Sequence, residues 1–206
     1  MACRKQPEKL LINIFGLPAV GKSTLRNALI EKLGGENCGK IPGDHYLKSK
    51  PADDSFFKYF THDNYDWALI EKLMNLPLGK TIATSLFDFE KFIRINENGS
   101  DKKFTMRQLN ILDSTYPCPF ADLRILIMLD EEGRKRRVTE RGRTDYFWKR
   151  YVLENWDKVE ASDRKNAKNH RNMADLVLDG LDAIGYNTQK IVDFIKISEK
   201  KYEAVE

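Results

Sequence analysis

Apolar residues follow two rhythms along the chain. Leu10 to Ile14 is an almost unbroken apolar run, the pattern of a strand buried on both faces. Ser23 to Leu33 then puts Leu25, Ala28, Leu29 and Leu33 on one helical stripe, and Gly34-Gly35 stops that helix. Cys38 to Pro42 predicts a short strand that ends at Gly43-Asp44-His45-Tyr46. Lys48 to Asp66 is polar with scattered aromatics and predicts an excursion or short helix. Leu69, Ile70, Leu73 and Met74 recur at helical spacing, so Tyr65 to Asn75 reads as a helix ended by Pro77 and Gly79. Lys80 to Ser85 reads as a strand. Phe89 to Ile95 and Lys103 to Arg107 can pair as a hairpin around Asn98-Gly99, a strong turn dipeptide. Gln108 to Leu112 is another apolar strand, ending in Asp113, and Leu123 to Leu129 is the second clear buried strand, ending in Asp130. Glu131 to Arg141 and Tyr146 to Ala161 predict helices. Leu176 to Leu178 is the last strand and Thr188 to Lys196 a closing helix.

Strands alternating with helices predict an α/β fold: a parallel five-stranded core sheet with helices on both faces and a small antiparallel hairpin. The length of 206 residues suits one domain spanning 1–206. In such sheets ligands sit beyond the carboxyl ends of the strands. Asp44, Asp113 and Asp130 each follow a strand and can converge there.

Composition narrows this further. Apolar residues make up 41% and charged residues 32%, which is globular rather than disordered. A net charge of +4 is too small to argue for nucleic acid or a membrane surface. The three cysteines, Cys3, Cys38 and Cys118, are odd in number and far apart, so they read as ordinary thiols in a reduced, cytoplasmic setting. Met1 to Lys9 lacks the apolar run of a signal peptide, and no segment has the length of apolar residues a membrane span needs. His45, His62 and His170 lack metal spacing and predict no zinc site.

The strongest chemical signal lies between the first strand and the first helix. Gly16-Leu17-Pro18-Ala19-Val20-Gly21-Lys22-Ser23 fits G-x-x-x-x-G-K-[ST], the phosphate-binding loop or Walker A motif, and Thr24 follows it. Gly16 and Gly21 let the backbone curl so that successive N–H groups point at phosphates. The helix adds its positive N-terminal end. Lys22 can reach the outer phosphates, and Ser23 can give a hydroxyl ligand to Mg²⁺. The bland alternative is a glycine turn with a chance lysine; the strand before it and the helix after it favour the functional one.

Other residues gain meaning from that loop. Asp44 ends a strand where a carboxylate near an attacking hydroxyl would be needed, although Gly43-Asp44 is also good turn chemistry. Asp113 stands where a second Mg²⁺ anchor, acting through water, is usual in phosphate-loop proteins; a helix cap or solvated strand end is the alternative. Arg134, Lys135, Arg136, Arg137, Arg141 and Arg143 put six basic residues into ten positions. Arg134, Arg137 and Arg141 share a helix face, which suits a lid over a triphosphate, a solvated face paired with Glu131, Glu132 and Glu140, or a nucleic-acid patch. The aromatics Phe56, Phe57, Tyr59, Phe60, Tyr65, Trp67, Phe87, Phe89 and Phe92 read mostly as core, with a few lining an acceptor pocket.

The order of these pieces resembles the uridine kinase and phosphoribulokinase-like family of P-loop small-molecule kinases, from Leu11 to about Gly180. The matching pieces after the loop are Asp44-His45-Tyr46, Asp63-Asn64-Tyr65-Asp66-Trp67, Gly79-Lys80, Phe87-Asp88-Phe89 with Arg94, and the acid-ended strands at Asp113 and Asp130. They continue with Arg136-Arg137 and Glu140-Arg141-Gly142-Arg143, then with Ala174-Asp175 before the last strand, which leads to the loop near the adenine. The resemblance implies that Asp44 is the base for the acceptor hydroxyl. It implies that Tyr46, Phe87, Asp88 and Arg94 lie near the acceptor, and that Arg137, Arg141 and Arg143 lie near phosphates. Some positions depart from the family. Its Glu-Gly after the acid-ended strand is Asp113-Ser114 here. The lid is shorter by about one and a half helical turns. Uridine-specific members have Tyr at Phe87, His at Phe92 and an Asp near Thr61.

These readings converge on an ATP- and Mg²⁺-dependent transferase that phosphorylates a hydroxyl of a small molecule other than a pyrimidine nucleoside. Lys22, Asp44, Arg137 and Arg141 are the expected catalytic groups. Residues 16 to 24 with Arg143 would bind nucleotide, and Ser23 and Asp113 would hold the metal. A P-loop ATPase or nucleotide switch acting on a protein partner would need no acceptor pocket, and the aromatic-Asp-Phe segment with Asp44 argues for one. A nucleic-acid 5′-end kinase is disfavoured by the small net charge.

Overall fold

The computed structural model describes residues 9–50, 61–95, 102–140 and 152–203. The strands are β1 (Leu10–Phe15), β2 (Cys38–Pro42), β3 (Thr81–Ala83), β4 (Leu86–Asp88), β5 (Ile93–Ile95), β6 (Lys103–Thr105), β7 (Leu109–Ser114), β8 (Leu123–Met128) and β9 (Leu176–Asp179). The helices are α1 (Lys22–Lys32), α2 (Trp67–Met74), α3 (Glu131–Glu140), α4 (Trp156–Asn172) and α5 (Ile184–Glu203).

The most apolar runs become the middle of the sheet. Five parallel strands lie in the order β2-β7-β1-β8-β9. Alternate residues of β1 point to opposite faces, as the strand period requires. Ile12 and Ile14 join Leu25 and Leu29 of α1 and Ile191 of α5 in one buried cluster. Leu11 joins Ile41, Leu112, and Ile70 and Leu73 of α2 in another. Helices therefore cover both faces, which is why the central strands read as apolar runs rather than alternating ones. The polar exception in β1 is Asn13, fully buried. Its amide donates to Ser114 Oγ at 2.8 Å, and its carbonyl accepts from the Cys118 N–H at 2.7 Å, which ties the chain after β7 to β1.

Register brings the strand ends level. Ile14 pairs with Asp113, Pro42 pairs with Asp113, and Met128 pairs with Asp179. β7 runs to Ser114, so Asp113 is inside the strand rather than beyond its end. Gly43 packs so closely on the Asp113 carbonyl that a Cβ there would collide with it.

The small antiparallel pairing is present with different partners from those the Asn98-Gly99 turn suggests. β4 pairs with β5, Phe87 opposite Arg94, and β3 pairs with β6. The expected turn residues 98 and 99 lie outside the described residues. The tighter pairing has a local cause: Asp88 accepts from the N–H groups of Glu90 and Lys91 at 2.9 and 3.1 Å and closes the turn on itself. Asp66 likewise caps α2 by accepting from Leu69 N at 3.1 Å, so that helix begins at Trp67 rather than Tyr65. The helix expected from Tyr146 to Ala161 is observed as α4, later in the chain; 146 to 151 lie outside the described residues. Trp156 joins Val138 and Val152 in an apolar cluster, Glu160 is buried in an ion pair with Arg134, and His170 is buried near the other end. Trp156, Val159 and Glu160 are all buried and recur at helical spacing. No helix among the described residues is long and apolar enough to cross a membrane.

Leu29 on α1 is completely buried, whereas Leu181 is 60% exposed. Leu29→Ala should lower unfolding free energy by about 2–5 kcal/mol in urea titrations. Leu181→Ala should stay within about 0.5 kcal/mol of the parent. Equal effects at the two positions would contradict this placement of the core.

Candidate active site

The loop between β1 and α1 has the backbone its glycines anticipate. Gly16 has φ +148°, and a Cβ there would stand 2.5 Å from the Ile127 carbonyl oxygen; Gly21 has φ +104° and precedes the helix. Among the loop's other residues, Ala19 and Val20 are buried, while Leu17 and Pro18 are half-buried. The Lys22 ammonium is not extended into solvent. It folds back and donates to the carbonyls of Gly16 and Leu17, both at 2.9 Å, so it sits over the concavity that phosphates would fill.

Ser23 and Asp113 meet directly: the hydroxyl donates to Oδ2 at 2.6 Å. Arg26, one helical turn after Ser23, donates from its guanidinium to the other oxygen, Oδ1. Arg26 and Asp113 are both buried. A stripe drawn through the apolar residues of α1 leaves out Arg26, which is buried all the same. The available signal was its spacing: a residue three after Ser23 faces the same way. Ser23 Oγ and Asp113 Oδ2 make a hard-oxygen pair, the donor type that Mg²⁺ takes together with phosphate oxygens and water. Among the described residues no group of three or more His, Cys, Asp or Glu side chains gathers as a self-sufficient metal cage.

Asp44 stands exposed in the short turn Gly43–Tyr46 that follows β2. Its charge is felt by Tyr65, whose hydroxyl accepts from Thr115 N at 3.0 Å; burial first, and the Asp44 charge second, push the phenol's pKa up. Tyr46, by contrast, turns its ring into the core with Ile41 and Ile70. Phe87 lies between two clusters, one of Leu47, Tyr65 and Tyr116 and one of Ala19, Phe92, Val138 and Trp156. The wall beside Asp44 is therefore aromatic: Tyr65 stacks on Trp67 at 4.8 Å, and Phe87 meets Phe89 edge-on at 5.0 Å. Arg94 donates to Asp66 Oδ2 at 2.7 Å. Burial raises the pKa of Asp66, but the hydrogen bonds from Arg94 and Leu69 N outweigh it and hold the carboxyl below its usual value.

On the other side of the loop, Arg137 of α3 donates to the carbonyls of Val20 at 2.9 Å and Gly180 at 2.6 Å. It bridges the phosphate loop to the segment after β9. Beside it opens a pocket of about 280 Å³ lined by Val20, Gly21, Thr24, Gly180, Asp182 and Asn187, among others. Arg134 does not join Arg137 there. It is buried against Glu160 and under the Trp156 ring, its carbon 5.5 Å from the ring centroid. The basic run is thus divided between a core ion pair and a loop contact. Asp130 is also not part of the convergence: it caps α3 by accepting from Gly133 N at 2.6 Å. Arg141 and Arg143 lie outside the described residues.

No family model matches the chain. It is similar to a uridine kinase of Lactococcus lactis subsp. cremoris (strain MG1363), 25% identical over 150 residues, which is 66% of this chain and 72% of that one. It is also similar to a uridine kinase of Alkaliphilus metalliredigens, 29% identical over 148 residues, 66% of this chain and 71% of that one. In three dimensions it resembles a gluconokinase from Sinorhizobium meliloti 1021, with a TM-score of 0.57, 13% identity and coverage of 98% and 100% of the two chains. It likewise resembles a shikimate kinase from Acinetobacter baumannii, with a TM-score of 0.53, 14% identity and coverage of 93% and 96%. The solved structures show the fold. Fold, loop and sequence similarity together define a P-loop kinase, a phosphotransferase. Within that class its sequence is similar to those of uridine kinases.

His170 was set aside in sequence because it has no metal partners. It is buried between Phe15 and Tyr116, edge-on to both at 5.6 and 5.4 Å. Burial first, then the Lys22 charge, lower its pKa to about 4 from 6.5. The unfolded chain therefore binds the extra proton between those values, and this contribution to stability is lost as pH falls through the window from 6.5 to about 4. His170→Phe keeps the ring contacts and should flatten the decline of the urea midpoint across that window. An identical decline in parent and variant would show that His170 does not carry it.

Proposed function

We propose that the chain transfers the γ-phosphoryl group of ATP, with Mg²⁺, to a hydroxyl of a small molecule that is not a pyrimidine nucleoside. The observation that carries this is the meeting of Ser23 and Asp113 at 2.6 Å at the start of α1, with Lys22 folded over the same loop. A glycine turn without function has no reason to assemble a hydroxyl, a carboxylate and an ammonium around one concavity.

Each residue then has a role. The loop amides from Gly16 to Thr24 and the helix end bind phosphates, and Lys22 exchanges its carbonyl contacts for phosphate oxygens. Ser23 and Asp113 hold Mg²⁺, which supplies neutralisation of phosphate charge. The pocket between Val20, Arg137 and Asn187 takes the nucleoside end. Arg137, with Arg141 and Arg143, stabilises charge on the transferring group. Asp44 accepts the proton of the attacking hydroxyl, and its exposure leaves it open to an incoming acceptor. Phe87, Asp88 and Arg94 shape the acceptor side. Tyr46 contributes from behind, because its backbone carbonyl accepts from Asp66 N at 2.7 Å and its ring anchors the turn that carries Asp44.

The acceptor class follows from the same wall. A site that reads a base edge needs buried polar partners, and their loss is costly. Phe87 and Phe92 offer none, and Thr61 has no carboxylate. A sugar, acid or vitamin-like alcohol fits better.

Asp44→Asn tests the assignment. It is nearly isosteric, so ADP affinity should stay at the parent value while kcat falls ~10²–10⁴-fold. Full turnover in the variant would move the base elsewhere.

A further inference from the structure

A contact that apolar patterning leaves out is the one between Arg26 and Asp113. The two oxygens of Asp113 are divided: Oδ2 accepts from Ser23, and Oδ1 accepts from Arg26. Arg26 is 5% exposed and Asp113 7%, so water does not compete strongly for either. The second guanidinium nitrogen donates to Asn27 Oδ1 at 3.2 Å, within the same helix. Arg26 is thus fixed by its own helix on one side and fixes a strand carboxylate on the other. Ser23 and Arg26 belong to α1 and Asp113 to β7, so this triad also sets how the phosphate loop's helix sits against the sheet. A partner on one oxygen restrains rotation about the terminal bond, which narrows the directions open to the other oxygen.

We propose that Arg26 is a positioning residue for the metal side of the site: by holding Oδ1 of Asp113 it aims Oδ2 at Ser23, where Mg²⁺ arriving with the nucleotide would be met. The inference rests on reading Ser23 and Asp113 as that metal side, and adds the residue that orients them. Arg suits the task better than Lys because its planar fork can bond Asp113 and Asn27 at once while a lysine ammonium presents a single point. Groups that orient a metal's ligands without touching the metal typically change affinity 10–100-fold when removed.

The test is the coupling between Mg²⁺ and ADP, measured by calorimetry as the ratio of the ADP dissociation constants without and with Mg²⁺. In Arg26→Gln this ratio should fall roughly 10- to 100-fold, with ADP binding in metal-free buffer unchanged. Arg26→Lys, which keeps the buried charge and protects the fold if the Gln variant is unstable, should show an intermediate loss. On an Asp113→Asn background the ratio is already reduced, and Arg26→Gln should lower it no further, because Arg26 acts through Asp113. A merely structural ion pair would reduce stability and leave the ratio alone. Parental coupling in folded Arg26→Gln, or in Arg26→Lys where that is the only folded variant, overturns the proposal and leaves the kinase reading standing. A parent protein whose ADP affinity ignores Mg²⁺ overturns both.

Discussion

The site depends on β7 lying between β1 and β2 in parallel register. That pairing sets Ile14 and Pro42 on either side of Asp113. Three chain segments thus reach the carboxyl edge of the sheet at one level: the phosphate loop after β1, the Asp44 turn after β2, and Asp113 within β7. The ladder is covered by helices on both faces, so a slip of one strand would carry buried side chains to the wrong face. Gly43 shows how closely the level is kept, since even a methyl group there would strike the Asp113 carbonyl.

Much of this was legible. The runs Leu10 to Ile14 and Leu123 to Leu129 are strands because both faces are covered, and continuous apolar character is what such strands need. The glycines at 16 and 21 were readable because their role is conformational. Two kinds of feature were not. Arg26 and Arg134 are buried cations, and polar patterning assigns cations to the surface; only a partner distant in sequence, Asp113 or Glu160, makes burial tolerable. The β4–β5 pairing was hidden because the Asn98-Gly99 dipeptide is a stronger turn signal by composition than the side-chain turn that Asp88 makes.

The hairpin and α3 link the two sides of the site. Phe92 and Val138 pack with Ala19 of the phosphate loop, so the hairpin and the basic helix share one apolar contact on that loop. Motion of α3 over a bound nucleotide would be felt at Phe92, and through it at Phe87. A triphosphate would also draw Lys22 away from the carbonyls of Gly16 and Leu17. On the proposed reading, nucleotide and acceptor sides would be joined through these few side chains, the arrangement an enzyme needs if it is to transfer phosphate to an acceptor rather than to water.

The central claim is that this chain is an acceptor-dependent kinase. The direct measurement is ADP release from Mg²⁺-ATP in the presence of sugars, sugar acids, vitamin-like alcohols, uridine and cytidine, with Lys22→Ala as the control. The account predicts that at least one non-nucleoside alcohol raises ADP release well above the rate without acceptor, that uridine and cytidine do so poorly, and that Lys22→Ala abolishes the stimulation. Uridine turnover with kcat/KM of ~10⁴ M⁻¹s⁻¹ or more, or stimulation that survives in Lys22→Ala, would contradict it.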